Sequence, residues 1–197
     1  YHGAKAKGGA ALTIVEAARV HPTGDSGRPA IRAYDPACVP GYKKLAGECQ
    51  PHGCLVFGQL THPGREMALA SDGSRPVAYA PAAIPNERFH VMPRAMPISL
   101  INEIIKGFEL SASHLREAGL DGIELVASHG YLLGQFLNPK INLRTDKYGG
   151  NFEGRLRFLK DAIEATRRGA GGEMILGVRL SGEDKDYTEN ELGQMLK

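Results

Sequence analysis

Gly122-Ile123-Glu124-Leu125-Val126-Ala127-Ser128-His129-Gly130-Tyr131-Leu132-Leu133-Gly134-Gln135-Phe136-Leu137-Asn138-Pro139 is the stretch on which the fold turns. Its first five residues form a short, nearly all-apolar run, the pattern of a strand buried on both faces of a parallel sheet. The run then gives way to small and polar residues, Ala127-Ser128-His129. Three other runs have the same shape, at 11–15, 54–58 and 174–178, and they lead into Glu16-Ala17, Gln59 and Arg179-Leu180-Ser181. Polar groups just past the carboxyl ends of parallel strands are how βα barrels and open α/β sheets build their sites.

Helical patterns separate the strands. Ile101, Ile104, Ile105, Phe108, Ala112 and Leu115 recur in steps of three and four and stop at Ala118-Gly119. Leu156, Leu159 and Ile163 do the same after Gly149-Gly150, and a weaker helix is expected over 39–50. The Pro-, Ala- and Arg-rich stretch 66–97 is too long for an ordinary βα loop. It is expected to run over the site as an excursion, carrying a small hairpin around 77–79 and 89–91. A complete βα barrel needs about 250 residues, whereas the 197 here show four units and break off in an expected fifth helix, 189–197. Two architectures follow: a smaller open α/β sheet, or an internal piece of a larger barrel.

Composition excludes several classes. Hydrophobic residues make up 42% and charged residues 23%, ordinary globular usage that argues against disorder and coiled coil. The net charge of +2 offers no electrostatic footprint for nucleic acid. No apolar run approaches the roughly 18 residues that span a bilayer, so no membrane partner is expected. Three cysteines, Cys38, Cys49 and Cys54, are an odd number with no secretory signal ahead of them. Reduced thiols and a cytoplasmic location are the expectation. Cys49-x-x-His52-x-Cys54 superficially looks like a metal cluster, but a structural zinc site uses four ligands in paired short spacings. No metal is expected.

The chemistry concentrates after the third strand. A His and a Tyr two residues apart at a strand end can supply two directed hydrogen bonds, and a Tyr hydroxyl can deliver a proton to a carbanion-like centre. The following loop holds Asn142, Arg144, Asp146 and Tyr148 and is expected to be fixed by Arg144–Asp146 pairing. The residues alone better fit a structural His129 that caps a loop and a packed Tyr131.

The run His129 to Pro139 resembles the signature of the old yellow enzyme family of flavin oxidoreductases, which includes 2,4-dienoyl-CoA reductase and trimethylamine dehydrogenase. The resemblance extends along the chain. Ala4-Lys5-Ala6-Lys7-Gly8-Gly9 with Leu12 to Ala17 resembles the family's second strand, and Gln59-Leu60-Thr61-His62-Pro63-Gly64-Arg65 the end of its third. Val91-Met92-Pro93-Arg94-Ala95-Met96 resembles the segment before its third helix, and Val178-Arg179-Leu180-Ser181 its fifth strand. The resemblance implies an eight-stranded βα barrel with FMN at its carboxyl end. Residues 1–197 would then be one partial FMN-binding barrel domain, strands two to five with their helices. The first strand would precede Tyr1, and the phosphate-binding strands seven and eight would follow Lys197.

The roles it implies are specific. Gln59 matches the amide on the flavin's pyrimidine edge, Ala17 a small residue whose backbone contacts the ring system, and Arg179 the cation beside the flavin N1–O2 edge. Tyr131 matches the proton donor and His129 one half of the grip on the substrate's activating oxygen. Many ene-reductases carry a second histidine three residues earlier, where this chain has Val126. The expected activity is NAD(P)H-driven, FMN-dependent reduction of an activated C=C bond in a small molecule. The alternatives are oxidative N-demethylation of a methylated amine, which an apolar Val126 suits, and a non-catalytic remnant. Long family members continue into an iron–sulfur cluster and a second dinucleotide domain. Oligomeric state is left open.

Overall fold

The computed structural model describes residues 1–25, 29–70, 72–182, 186–188, 191 and 193–194. In chain order its elements are α1 (His2–Lys7), β1 (Leu12–Arg19), β2 (Ile31–Arg32), α2 (Val39–Cys49), β3 (Leu55–Thr61), β4 (Tyr79–Ala80), β5 (Arg94–Ala95), α3 (Ile98–Glu117), β6 (Gly122–Ala127), α4 (Leu132–Leu137), α5 (Phe152–Ala170) and β7 (Ile175–Leu180). The expected fifth helix, 189–197, lies largely outside the described residues.

Five strands form one all-parallel sheet in the order β2-β1-β3-β6-β7. That order alone would also fit a doubly wound sheet. Helix placement decides between them. Residues of α2, α3 and α5 share one apolar cluster with Val15, Ala18, Val56, Leu60, Ile123, Leu125 and Ala127. The alternating strand residues, Phe57, Gln59, Thr61 and Val126, lie outside it. The helices therefore cover a single face and leave the other for a barrel interior, so the sheet is an arc of a βα barrel.

Close approach explains the glycines inside the helices. A Cβ on Gly107 of α3 would run into the Val20 carbonyl, and one on Gly169 of α5 into the Glu109 carbonyl of α3. Glycine elsewhere in an exposed helix weakens it; here it sets the helix-to-helix and helix-to-strand distance. The start of α5 is capped by Asn151, whose side chain accepts the Gly154 N–H at 2.9 Å. No helix among the described residues is long and apolar enough to cross a membrane.

Four features differ from the sequence expectation. Strands β1 and β3 do not stop at residues 15 and 58 but continue to Arg19 and Thr61. Glu16, Ala17 and Gln59 therefore lie within strands. The six residues of α4 read as loop in the sequence, since a helix buried all round has no periodicity. The short α1, ahead of the first strand, carries no sequence signal either.

The hairpin expected at 77–79 and 89–91 is also corrected. The excursion instead pairs β4 with β5 in parallel, with a single antiparallel bridge between Asn86 and Val91. The cause is a clamp from elsewhere in the chain. Arg144 donates to the carbonyls of Pro81 and Met96, at 3.1 and 2.6 Å, which holds the chain just beyond both short strands. Arg144 also makes the expected fork with Asp146, and its guanidinium holds the Asp146 carboxyl below the usual range.

Candidate active site at the carboxyl end of the sheet

The register stacks the interior side chains in rows. A lower row holds Ile14, Phe57, Gly122 and Ile175. In the next, β1 carries a bulge: Val15 pairs with Gly58 and Ala18 with Leu60, so Glu16 and Ala17 together oppose the single Gln59. Bulges of this kind re-aim side chains beside active sites. Gln59 pairs in turn with Glu124, and Glu124 with Gly177. The uppermost row holds Arg19 beside Thr61, and Val126 beside Arg179.

Polar groups in these rows are partly committed to each other. Gln59 is buried, and its Nε2 donates to Glu124 Oε1 at 2.6 Å. That carboxylate orients the amide and leaves its oxygen uncommitted among the described residues. A charged residue inside an otherwise apolar strand is the signal that could have marked Glu124, which is absent from the site residues expected above. Arg179 is exposed and has no ion pair with Glu16 among the described residues; Asp184 lies outside them. A Cβ on Gly177 would meet only the Ile123 carbonyl, 3.9 Å away, so the middle row borders open space.

Beyond β6 the chain makes one tight turn. His129 and Gly130 have φ of 58° and 70°, and the Tyr131 N–H closes back on the Ser128 carbonyl at 3.2 Å. Two successive left-handed residues define a type I′ turn, and histidine is among the few side chains that enter this region readily. The turn brings the His129 and Tyr131 rings to 6.2 Å between centroids, with His129 exposed and Tyr131 half-buried at the start of α4. Ser128 Oγ lies 2.7 Å from His129 Nδ1 and orients the imidazole. Val126, on the row beneath, is 2% exposed and offers no hydrogen bond.

The loop after β3 is tied to this turn by Gln135, which is fully buried. Its Nε2 donates to the carbonyls of Gly130 and Pro63, at 2.6 and 3.0 Å, and its Oε1 accepts the Arg65 N–H at 3.2 Å. Beside it runs a partly buried chain of hydrogen bonds. The Gly64 N–H donates to His62 Nδ1 at 3.0 Å, so the proton of His62 sits on Nε2 and is donated to Thr23 Oγ1, also 3.0 Å away. The Thr23 hydroxyl then donates to His21 Nδ1 at 2.8 Å. Burial, reinforced by the fields of His21 and Arg19, pushes His62 down to about 3.

A depressed histidine makes stability acid-sensitive. The unfolded chain takes up a proton near pH 6.5 that folded His62 refuses until about pH 3. This contribution is therefore complete above pH 6.5 and drains away as pH falls toward 3. Between pH 7 and 4 the loss is expected to be on the order of 3 kcal/mol. His62→Gln should flatten that limb in urea titrations run at each pH, and an unchanged slope would mean His62 is not buried neutral.

Cys38, Cys49 and Cys54 are free thiols. Cys49 closes α2, and burial pushes its thiol up. Among the described residues, no three His, Cys, Asp or Glu side chains are placed to hold a metal ion.

With this geometry in hand, the chain can be set beside known proteins. It is 38% identical over 188 residues to an NADPH dehydrogenase of Bacillus velezensis, covering 95% of this chain and 53% of that protein. It is 36% identical over 185 residues to a multifunctional alkene reductase/demethylase of Caballeronia cordobensis, covering 93% and 27%. Its fold superposes on 2-naphthoyl-CoA reductase with a TM-score of 0.89 at 29% identity, over 99% of this chain and 32% of that one. The chain thus spans about half or less of the length of these relatives. The strand rows, the turn at His129 and the match of residues 1–195 to the family's sequence model agree: the chain belongs to the NADH:flavin oxidoreductase / NADH oxidase family.

Proposed function

We propose that this chain supplies one wall of the active site of an FMN-dependent oxidoreductase that uses NAD(P)H to reduce an activated C=C bond. The observation that carries the reading is the placement of His129 and Tyr131 above the row of Ala17, Gln59, Glu124 and Gly177. This row suits a flavin edge. Gln59 keeps its oxygen and one N–H uncommitted among the described residues, Gly177 leaves room, and Arg179 on the row above has no acidic partner among them. Gln59, Ala17 and Arg179 would hold the ring system. Bound FMN supplies reversible hydride transfer.

The chain's own residues do the rest. Tyr131 gives its hydroxyl proton to the carbon next to the one that receives hydride, and regains it from solvent. His129 donates to the substrate's carbonyl oxygen, where charge develops. A Ser128 hydroxyl donating to Nδ1 leaves Nε2–H as the donor, so Ser128 is a positioning residue. Ser128→Ala is expected to lower kcat/KM for an enone roughly 3- to 10-fold, the net worth of one hydrogen bond. Ser128→Thr, which keeps the hydroxyl, should restore it, and flavin reduction by NAD(P)H should be unchanged; an enone kcat/KM equal to wild type in Ser128→Ala would leave Ser128 without this role.

One observation favours a second reading. Val126 puts a buried methyl surface where a second oxygen donor would sit, which suits an N-methyl group better than a carbonyl. The protein from Caballeronia cordobensis is named for both reductase and demethylase chemistry. Anaerobic bleaching of the flavin in the full-length protein separates the two. Bleaching by NAD(P)H with recovery on adding an enone is the expected result; bleaching by a methylated amine alone supports demethylation.

A further inference from the structure

Two buried polar atoms on the uppermost row have no partner among the described residues: Nε of Arg19 and Oγ1 of Thr61. They belong to residues paired across the β1–β3 ladder, on the face opposite the helix-packed Ala18 and Leu60. The Arg19 guanidinium makes no ion pair among the described residues. Asp25 reaches it only through its field, because that carboxylate is held by Arg32 at 2.9 Å and the Tyr34 hydroxyl at 2.7 Å. The Leu132 N–H donates to the His62 carbonyl at 2.9 Å, which sets the end of β3, and with it Thr61 and Arg19, beside the start of α4 that carries Tyr131. His62, the residue after Thr61, is kept neutral by burial and adds no competing charge.

A cation half withdrawn from water with no counter-ion among the described residues, beside a hydroxyl with no partner among them, is an incomplete arrangement. A guanidinium fork matches the two oxygens of a carboxylate, and a threonine hydroxyl can donate to one of them. We propose that Arg19 and Thr61 form a carboxylate-binding subsite, so that the substrate carries a carboxylate within reach of the carbon that Tyr131 protonates. This deepens the reductase reading and rests on it for the reaction, although not for the anion.

The test uses the FMN-loaded full-length protein with 4-carboxycinnamaldehyde and its neutral methyl ester. The free acid should be the better substrate, and Arg19→Gln should lower kcat/KM for it about 30- to 100-fold, in the range for unpairing a buried charge. The ester should change less than threefold, and Arg19→Lys should recover part of the loss. Thr61→Val, close to isosteric, should raise KM for the acid alone. Equal losses on acid and ester would make Arg19 a support for Tyr131 and overturn the subsite. A loss confined to flavin reduction by NAD(P)H would assign the cation to the nucleotide and overturn the subsite as well. If wild type reduces neither aldehyde, the reductase reading fails, and calorimetric titration with benzoate and benzamide decides the anion site separately. Benzoate binding abolished by Arg19→Gln sustains the subsite; equal binding of benzoate and benzamide removes it.

Discussion

Tyr131→Phe is expected to slow reoxidation of the reduced flavin by an enone by about two to four orders of magnitude, the worth of a positioned general acid. Flavin binding and reduction by NAD(P)H should stay nearly unchanged, since the hydroxyl that is lost takes part in neither. The side chain is well placed for this asymmetry. It opens α4, half-buried, 6.2 Å ring to ring from His129, while its backbone is held by the turn and by the Gln135 N–H at 2.8 Å. Removing the hydroxyl therefore leaves the scaffold standing. If the enzyme demethylates amines instead, no carbanion needs a proton and the penalty should be far smaller. Val126→His is the companion variant, because a second donor on the row below should raise enone turnover only if the substrate oxygen lies beside His129. Stopped-flow traces of both half-reactions discriminate, and an unaltered oxidative phase in Tyr131→Phe would reduce Tyr131 to loop packing.

The second large effect is expected at Gln135. Replacing it with alanine strips a partner from the Pro63 and Gly130 carbonyls and from the Arg65 N–H, and leaves a cavity where the amide lay. Gly130 is exposed and its carbonyl can recover a water. The other groups lie in a better-covered loop, and an unsatisfied buried group costs about 1–3 kcal/mol. A loss of about 3–4 kcal/mol is expected from the unpaired groups together with the cavity. Gly64→Ala approaches the same contact from the other side. Its φ is 61°, and a Cβ would collide with the Gln135 amide. Both variants should lower the urea midpoint and also raise KM, because the latch holds the loop after β3 against the turn that carries His129 and Tyr131. Midpoints equal to wild type in both would show that the latch holds nothing.

Legibility differed from element to element for physical reasons. The starts of β1, β3, β6 and β7 stood out because a strand covered on both faces must be apolar at nearly every position. The long helices α3 and α5 were equally plain, since each buries one stripe at helical spacing. The ends of β1 and β3 were obscured because polar residues there face a site rather than a core. Gln59 resembles a loop residue until its partner Glu124, from a strand 65 residues further on, is brought beside it. Helix α4 carried no periodicity, and the pairing of β4 with β5 depends on a clamp from Arg144, which lies 63 and 48 residues beyond the carbonyls it holds.

The sequence by itself determined what is local. It set the rhythm of strand and helix, the Arg144–Asp146 fork two residues apart, and the nearness of His129 to Tyr131, which a single turn with Gly130 enforces. The tertiary structure decided what depends on register. The bulge at Glu16-Ala17 shifts β1 by one residue against β3, and that shift alone puts Arg19 beside Thr61 on the open face. The placement of α2, α3 and α5 on one side, which makes the sheet a barrel arc, was likewise decided there. The physical reason is common to both. A strand's side chains alternate between faces, so their neighbours are fixed only when distant segments pair, and a shift of one residue in that pairing exchanges core for site.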